Sequence, residues 1–325
     1  MANQAVQPNQ RALYCCMVNF SAAFDRVDRR ILWRKLSAWG VPGGLFVAII
    51  SLYSETWVKV KLDQQHTTQA IRAITGLKQG CVLAPLLFNL YTADLGKTLE
   101  GAALLAPKIG QKKVHILQYA DDLVILDQTK VGLQRALDAL NKYNVKNRLV
   151  VNGEKTKVLM FGSHRHKVRD KWSVGTLCIK TCQAYKYLGV WLTERHSVHK
   201  QRLEINRKCG ALTYVLKRLH HQLISHSAKA ILGVFKAKLI PGLNYGYLAY
   251  HGLLDNLLDN NQTKAHKIIV GIVRRARGAR VRAELGLCRQ DLICKAACIN
   301  YYLSTMRAPP SSMKATNKHI FEREG

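Results

Sequence analysis

The sequence predicts an α+β fold up to Thr193 and a helical, basic region after it. Short strand-like runs mix with helical patterns in the first part without a regular βαβ alternation, which favours an α+β arrangement over a doubly wound sheet. After Thr193 the chain becomes rich in Leu, His and basic residues at helical spacing. The 325 residues, 48% of them hydrophobic, are enough for two or three domains.

The first elements follow from local patterns. The apolar stretch from Ala12 to Phe20 predicts a buried strand. Asp28 suits a helix N-cap and Gly40 a helix stop, so a helix is expected between them. GGLFVAIISLYSE predicts a second helix, and the alternating run WVKVKLD predicts a strand.

The next elements surround an apolar run that contains two aspartates. PLLFNLYTADLGKTL predicts one helix, and Val131 to Arg148 predicts another. The run VHILQYADDLVIL, Val114 to Leu126, predicts two short strands joined by a tight turn at the aspartates. TKVLMFG and YKYLGVWL are expected to be further strands.

The remainder of the chain has helical character. His196 to Lys238 predicts basic helices, and PGLNYGYLAYHG interrupts them. An Arg-rich helical segment follows, which contains RRARGARVR. The tail RAPPSSMKATNKHIFEREG is expected to be disordered or extended.

The charge balance points to a polyanionic partner. Lys and Arg number 50 against 20 Asp and Glu, which gives a formal charge of +30 and a pI near 10.0. Nucleic acid is the first candidate for such a surplus, and a ribosome-like or merely solvated basic surface is the alternative.

The cysteines and the N-terminus bear on the compartment. Cys178 and Cys182, like Cys294 and Cys298, are spaced CxxxC, without the CxxC pair or following His of a zinc site. We therefore expect reduced thiols. The polar N-terminus lacks a signal peptide, and no apolar run reaches the ~18–20 residues of a membrane span. An intracellular protein of nucleus or cytoplasm, neither secreted nor membrane-bound, is expected.

Asp121 and Asp122 place two like charges inside an apolar run. At ~4 Å, two carboxylates repel by roughly 4 kcal/mol at an effective dielectric near 20. Oxygen ligands on a rigid turn suit Mg²⁺, and two such ions ~3.5–4 Å apart serve phosphoryl transfer. An Asp pair at a turn is, however, more often only a polar turn without a bound metal.

Five motifs, in order from Asn19 to Leu192, favour a catalytic metal site at the aspartates over a simple polar turn. Together they resemble the reverse transcriptases of non-LTR, LINE-type retrotransposons. LNYG and RAELGL further on are similar to the thumb region of the same elements. The motifs are NFSAAFDRVDRRILWRKL (first palm motif), LKQGCVLAPLLFNLY (second), QYADDLVIL (catalytic hairpin), NGEKTKVLMFG (lysine-bearing) and YKYLGVWL (primer grip).

The resemblance implies a polymerase palm, an antiparallel sheet backed by helices, followed by a helical thumb and a basic helical C-terminal segment. The expected domains are the palm over 1–162, its end with primer-grip-like strands over 163–195, a thumb-like region over 196–262, and a basic segment and tail over 263–325. Only 18 residues precede Asn19, so an N-terminally truncated product with its fingers largely missing, and without an endonuclease domain, is expected.

The resemblance also implies chemistry, that of an RNA-directed DNA polymerase. This nucleotidyltransferase would use an RNA template, a DNA primer, dNTPs and two Mg²⁺ ions. Asp121 and Asp122 would bind the metals, with Asp121 the stronger ligand. Lys155 would donate a proton to the leaving pyrophosphate.

Further positions are implied to contact the nucleotide or template. Phe24 would exclude a ribose 2′-hydroxyl, and Gln79, Gly80 and Tyr119 would line the incoming nucleotide and template. Taken singly, Phe24 is equally well explained by core packing and Lys155 by a solvated surface. The hairpin tip, Tyr119 to Asp122, is expected within ~10 Å of Asn19.

Asn19 departs from the family pattern, which has an aspartate at this position. A neutral amide is a poor Mg²⁺ ligand. Replacing a directly bound carboxylate by an amide should lower metal affinity or activity by more than the ~10–100-fold typical of changes to outer-shell residues. Asp25, six residues on, lies ~20 Å away along an extended strand and is not a substitute.

The Asn19 departure leaves alternatives open. One is a catalytically inactive nucleic-acid-binding remnant, and another is a decayed reading frame without selected function. A metal nuclease built on Asp121 and Asp122 would leave the Gln-Gly loop and YKYLG unexplained. Arg274, Arg275, Arg277 and Arg280 are expected to contact nucleic acid, with nuclear targeting as the alternative.

Overall fold

The computed structural model describes residues 12–61, 63, 66–102, 105–109, 112–162, 171–222, 228–272 and 275–308. The chain forms two compact units. The sheet unit comprises Ala5–Lys108 and Lys113–Gln183, and the helical unit comprises Met1–Gln4, Ile109–Lys112 and Ala184–Gly325. The domain boundaries expected at residues 162, 195 and 262 stay predictions.

Within the described residues, short strands alternate with helices in the sheet unit, and helices dominate the helical unit. The strands are β1 (Leu13–Val18), β2 (Trp57–Val58), β3 (Ile71–Arg72), β4 (Lys108–Ile109), β5 (Lys112–Lys113), β6 (Ile116–Tyr119), β7 (Asp122–Asp127), β8 (Lys157–Phe161), β9 (Trp172–Val174), β10 (Leu177–Cys182), β11 (Ala184–Tyr187) and β12 (Val190–Thr193). The helices are α1 (Arg29–Ala38), α2 (Gly43–Ser54), α3 (Ala84–Tyr91), α4 (Leu95–Glu100), α5 (Lys130–Lys146), α6 (His199–Gln222), α7 (Ala228–Val234), α8 (Ile240–Asn244), α9 (Asp255–Val270), α10 (Gly278–Glu284) and α11 (Gln290–Met306), with a π-helical turn at Phe235–Leu239 and a 3₁₀ turn at Tyr247–Ala249.

The sheet unit is built on six strands in the order β6-β7-β1-β8-β10-β9. β1 reads LYCCMV and is buried almost throughout, because β7 and β8 flank it and both of its faces are covered. The pairs β6–β7, β7–β1, β1–β8 and β10–β9 are antiparallel, and β10 runs parallel to β8. The predicted α+β class, an antiparallel sheet backed by helices, is confirmed apart from that parallel pair.

Helices cover the sheet and close its core. Leu36 of α1, Phe88 of α3 and Leu137 of α5 are fully buried in one apolar cluster with the strands. α1 begins as expected, since the Asp28 carboxylate accepts hydrogen bonds from the backbone N–H groups of the first turn. Gly40 follows this helix with a φ of +73°, the left-handed conformation that favours glycine after a helix.

A polar contact joins three helical segments beside this core. The Lys35 ammonium lies 2.6 Å from the Asp94 carboxylate, to which the Tyr143 hydroxyl also donates a hydrogen bond at 2.6 Å. Burial alone would raise the pKa of Asp94, but the hydrogen bonds from Lys35 and Tyr143 hold it below its ordinary value. The network fixes α1 and α5 to the residue that precedes α4.

Two expected elements differ in the structure. The single helix predicted over PLLFNLYTADLGKTL was wrong, because the chain breaks between α3 and α4. Thr92 ends α3 by donating its hydroxyl to the Phe88 carbonyl, 3.1 Å away, and Asp94 is held by Lys35. The strand expected over WVKVKLD shrinks to β2, since Val58 and Val60 are exposed and have no core face to cover.

In the helical unit, β11 and β12 form a hairpin and the helices form a separate core. Leu188 and Gly189, the two turn residues, both have positive φ, as in a type I′ turn. The Tyr245 hydroxyl donates to the Leu188 carbonyl at 2.6 Å and so holds this turn. The core gathers apolar side chains of α6, the π-helical turn, α8, α9 and α11, among them Phe235 and Leu258.

α6 and α9 lie side by side and run in the same direction. Asn206 meets Asn261 in the first halves of the two helices, with a 3.1 Å hydrogen bond between their amides. At the other end, a Cβ added to Gly271 would lie 3.2 Å from the His220 ring. Among the helices that the structure describes, none is long and apolar enough to cross a bilayer. Most of the C-terminal tail, beyond Ala308, lies outside the described residues.

Candidate active site

The two aspartates lie at the tip of the β6–β7 hairpin. Tyr119 and Asp122 are the last paired residues, so Ala120 and Asp121 form a two-residue turn. Ala120 has a φ of +52°, and its carbonyl accepts a hydrogen bond from the Gln118 amide at 3.2 Å. The same Gln118 amide donates to the Thr92 hydroxyl at 2.6 Å, which attaches the hairpin to the end of α3. The tight turn expected at the aspartates is confirmed.

The two carboxylates are half-buried and electrostatically unfavourable for each other. Burial raises the pKa of Asp122 above its ordinary value, and the neighbouring Asp121 charge raises it further. Neither carboxylate forms an ion pair with any residue that the structure describes. A pair of this kind fits an added cation, because a positive charge would relieve both effects.

Asn19 lies at the end of the neighbouring strand, β1. The register of β1 against β7 pairs Val18 with Leu123, both fully buried. Asn19 follows Val18 and Asp122 precedes Leu123, so both residues lie at the same end of the sheet. The expected separation of Asn19 and the hairpin tip by less than ~10 Å stays a prediction.

Backbone contacts hold Asn19 against the turn that carries Lys155. The Asn19 N–H donates to the Thr156 hydroxyl at 3.1 Å, and the Asn19 carbonyl accepts from the Asn152 N–H at 2.8 Å. The Asn152 side chain in turn caps the turn by accepting from the N–H groups of Glu154 and Lys155. Lys155 is exposed. The structure thus gathers Asn19, Asp121, Asp122 and Lys155 at one end of the sheet.

The ligand set for a metal is two carboxylates with an amide beside them. Among the described residues, no group of three or more His, Cys, Asp or Glu side chains is arranged to hold a metal ion. The side chains that would do so are those of Asp121 and Asp122, with Asn19 at the end of the neighbouring strand. Asparagine offers one neutral carbonyl oxygen where a carboxylate would offer charge.

Phe24 packs against the helices below the site. Its ring stacks on the ring of Phe88, with centroids 4.9 Å apart and planes inclined by 28°. The side chain is half-buried and joins the edge of the main core. Packing therefore fixes its orientation, and the exposed part of the ring is what a ligand would meet.

Gln79 and Gly80 lie on an exposed loop that is attached to the segment around Phe24. The Leu77 N–H donates to the Phe24 carbonyl at 2.8 Å, and the Gln79 amide donates to the Asp25 carboxylate at 2.9 Å. Gly76 has a φ of +82°, and a Cβ there would lie 2.9 Å from the Asp25 carbonyl oxygen. The loop can approach so closely only because residue 76 is glycine.

Asp25 and Arg29 position the loop that carries Gln79, a role that sequence reasoning did not assign to them. Asp25 orients Gln79. Arg29 is buried and donates to the carbonyls of Gly76, Tyr53 and Ala73 at 2.8, 3.0 and 2.7 Å. The sequence signal for this role was an arginine at the buried first turn of a helix. Its acceptor carbonyls could not be identified from the sequence, because they lie 24 to 47 residues away in the chain.

The remaining predicted residues are exposed. Tyr119, at the hairpin tip, has 67% of its surface accessible. Arg275, Arg277 and Arg280 belong to the helical unit and are exposed there, and Arg274 lies outside the described residues. Arg282, within the same Arg-rich run, is instead held by the Asp259 carboxylate at 3.3 Å.

Comparison with known proteins places these features in a family context. The family model described as "Reverse transcriptase (RNA-dependent DNA polymerase)" matches residues 2–192. The Pol polyprotein of the type-2 retrotransposable element R2DM of Drosophila melanogaster is 28% identical over 191 residues, which are 56% of this chain and 18% of that protein. The RNA-directed DNA polymerase from mobile element jockey of Drosophila funebris is 27% identical over 266 residues, 77% of this chain and 27% of that protein.

The chain therefore spans about a fifth to a quarter of the length of these relatives. Among solved structures, that of apo telomerase from Candida Tropicalis superposes with a TM-score of 0.43 and 12% identity, over 95% of this chain and 52% of that one. A TM-score of this size is too low to transfer geometry from one protein to the other.

Proposed function

The chain belongs to the reverse transcriptase (RNA-dependent DNA polymerase) family, and from this premise we propose that it performs RNA-templated DNA synthesis. The substrates would be an RNA template, a DNA primer and dNTPs. In the reaction, the primer 3′-oxygen bonds to the α-phosphorus of the dNTP, the bond from that phosphorus to pyrophosphate breaks, and the 3′-hydroxyl loses its proton.

The observation that carries the proposal is the register of β1 against β7. It supports a site in which Asp121, Asp122 and residue 19 share one end of the sheet. Reverse transcriptases use divalent metal ions, and Asp121 and Asp122 would hold two Mg²⁺ here. Bound at this site, the ions would stabilise negative charge on the attacking and leaving oxygens.

The side chains around the aspartates would bind and orient the substrates. The exposed Lys155 ammonium would stabilise charge on the departing pyrophosphate and donate a proton to it. The Phe24 ring, held by its stacking on Phe88, would meet the sugar and exclude a 2′-hydroxyl. Gln79, Gly80 and Tyr119, all exposed, would contact the incoming nucleotide and the template.

Asn19 would set the rate of this reaction. Its backbone is held by Thr156 and Asn152 whatever the side chain, so the amide occupies the place of a carboxylate without disturbing the strand. A neutral side chain next to Asp122 weakens cation binding, because it supplies no negative charge. The polymerase activity of the unaltered chain should therefore be low, and Asn19→Asp should recover it.

Primer extension on an RNA template in Mg²⁺ tests the proposal. We expect Asn19→Asp to extend the primer more than ~100-fold faster than the unaltered chain. Mutating an outer-shell residue costs ~10–100-fold in activity, and mutating a direct metal ligand should cost more. Asp121→Asn in the Asn19→Asp background is the control and should abolish extension. Extension that survives Asp121→Asn would overturn the assignment of the site.

A second function is nucleic-acid binding without catalysis. It is favoured by Asn19 together with the formal charge of +30. It predicts that the unaltered chain extends no primer, while it binds RNA with an affinity that falls steeply with salt. Primer extension by the unaltered chain would exclude this alternative.

A further inference from the structure

The side chains of Gln79 and Asp25 form a directed hydrogen bond on the surface of the sheet unit. The Gln79 amide nitrogen lies 2.9 Å from one carboxylate oxygen of Asp25 and 3.2 Å from the other. A carboxylate can only accept hydrogen bonds, so the glutamine must offer it the NH₂ end of its amide. The carbonyl oxygen of Gln79 is therefore the end that stays available for another partner.

The backbone anchors the loop of Gln79 beside Asp25. The Leu77 N–H donates to the Phe24 carbonyl and the Gly76 N–H donates to the Val27 carbonyl, both at 2.8 Å. Gly76 and Leu77 are buried, whereas residues 78–80 are exposed. Because the base of the loop is fixed and its tip is exposed, the side-chain hydrogen bond decides which end of the Gln79 amide faces outward.

A second glutamine–carboxylate pair shows what a purely structural contact looks like. In α5, the Gln134 amide donates to the Asp138 carboxylate at 2.8 Å and to the Ser173 carbonyl at 3.0 Å. Its carbonyl oxygen accepts from the Ser173 N–H at 3.2 Å, so both ends of that amide are used inside the protein. The carbonyl oxygen of Gln79, by contrast, accepts from none of the residues that the structure describes.

The charge of Asp25 is also left uncompensated. Asp25 is exposed and forms no ion pair within the described part of the chain, although Lys and Arg number 50 in this sequence. A negative charge beside a nucleotide site repels the triphosphate, so by itself it opposes nucleotide binding. Holding the Gln79 amide in one orientation gives the carboxylate a purpose that offsets this repulsion.

The outward oxygen of Gln79 belongs to the same rigid surface as the Phe24 ring. Asp25 directly follows Phe24, whose ring is held by its stacking on Phe88. The phosphates of a nucleotide carry only acceptors, whereas its sugar hydroxyl and its base carry donors. A free carbonyl oxygen at this place therefore suits the nucleoside part of a nucleotide and not its phosphates.

We propose that Asp25 is a positioning residue of the polymerase site, which turns the Gln79 amide so that the incoming nucleotide meets a hydrogen-bond acceptor. Without the Asp25 carboxylate, either end of the amide could face the nucleotide, and ordering it would consume part of the binding energy. The inference rests on the proposed function, because it needs a nucleotide beside Phe24.

Nucleotide binding without catalysis tests this role. The full chain in the Asn19→Asp background is bound to an RNA template and a dideoxy-terminated DNA primer, so that no new bond can form. The next complementary dNTP is titrated in Mg²⁺ and followed by the fluorescence of a 2-aminopurine beside the templating base. Asp25→Asn should raise the dissociation constant of the dNTP by about 3–10-fold, the worth of one hydrogen bond, and leave the affinity for primer and template unchanged.

Exchanging the two side chains provides the rescue. Gln79→Glu alone places two carboxylates against each other and should also weaken dNTP binding. Asp25→Asn/Gln79→Glu keeps the net charge and the hydrogen bond, and it leaves a carboxylate oxygen facing outward at position 79 as the acceptor. This double variant should recover most of the lost dNTP affinity. Asp138→Asn breaks the corresponding pair in α5 and should leave dNTP affinity unchanged.

Every other result overturns the proposal. Tighter dNTP binding by Asp25→Asn would mean that the carboxylate acts only as a repelling charge. A loss of affinity that the double variant fails to recover, or that extends to primer and template, would assign the effect to the local fold. Measurable dNTP binding that Asp25→Asn leaves unchanged would reject this inference alone, whereas absence of dNTP binding throughout the series would reject the polymerase function and this inference with it.

Discussion

At the scale of single residues, the candidate site combines an unfavourable pair with a neutral neighbour. Burial and the neighbouring Asp121 charge disfavour the ionised form of Asp122 in the folded chain and raise its pKa. Asn19, at the end of the neighbouring strand β1, adds no further negative charge. Stability without metal and affinity for metal are therefore opposed at this turn, and substitutions there should move the two quantities in opposite directions.

Replacing Asp122 by Asn should raise the melting temperature at neutral pH in EDTA. Burial and the Asp121 charge raise the pKa of Asp122 in the folded state. A carboxyl with a raised folded-state pKa binds its proton more tightly when folded, so stability falls as pH rises from its unfolded value near ~3.9 through the folded one. Asp122→Asn should remove this fall, and melting curves between acid and neutral pH measure it.

Adding Mg²⁺ should favour the unaltered chain over Asp122→Asn in melting temperature, the reverse of the order expected in EDTA. The unaltered chain should gain melting temperature on Mg²⁺ addition, and Asp122→Asn should gain less, because ligand binding stabilises only the state that binds. Asp138→Asn, which neutralises an exposed carboxylate of α5, is the matched control. A lower melting temperature of Asp122→Asn in EDTA would show that the carboxylate is compensated in the fold.

Arg29 should be among the costliest single positions in the sheet unit. Arg29→Met would leave the carbonyls of Gly76, Tyr53 and Ala73 without their donor and should cost ~3 kcal/mol of unfolding free energy. Arg34→Met removes an exposed guanidinium from the same helix and should stay within about 0.5 kcal/mol. Urea unfolding measures both, and similar costs for the two variants would contradict the role of these hydrogen bonds.

At the scale of elements, the site is assembled by contacts between segments distant in sequence. The β6–β7 hairpin is attached to α3 through Gln118 and Thr92, and β1 is attached to the Lys155 turn through the backbone of Asn19. α5 begins where Thr129 accepts a hydrogen bond from the Gly132 N–H, and buried Asp127 accepts from the Thr129 N–H and hydroxyl. The last of these connections leaves little space for an added side chain at Gly132.

Gly132 of α5 illustrates that limit. An alanine Cβ at this position would overlap the Asp127 carboxylate, which is buried and already hydrogen-bonded. Gly132→Ala should therefore cost about 1–3 kcal/mol through overpacking, although alanine favours a helix by ~1 kcal/mol. Gly210→Ala in α6, where a Cβ meets no atom within 4 Å, should be neutral or stabilising by up to ~1 kcal/mol. Opposite signs in urea unfolding would support this; a stabilised Gly132→Ala would refute it.

At the scale of the whole molecule, the predicted resemblance to LINE-type reverse transcriptases is confirmed by the family match and by relatives such as the R2DM and jockey proteins. β1 and the β6–β7 hairpin were predictable because continuous apolar runs and a polar turn are local signals. The parallel β8–β10 pair and the attachments of Arg29 were not, because each depends on a partner far along the chain. The motif order predicted the site residues, and only the fold shows that Lys217 and Lys264 line one groove.

The way in which β1 holds residue 19 has a genetic consequence. The contacts with Thr156 and Asn152 use main-chain atoms of Asn19 together with a threonine hydroxyl, and they would serve an aspartate equally well. Codons for asparagine and aspartate differ by one transition at the first base. A change from Asn19 to aspartate therefore takes a single mutational step and needs no compensating change in these contacts, so a set of copies of this sequence would hold the carboxylate within reach of ordinary mutation.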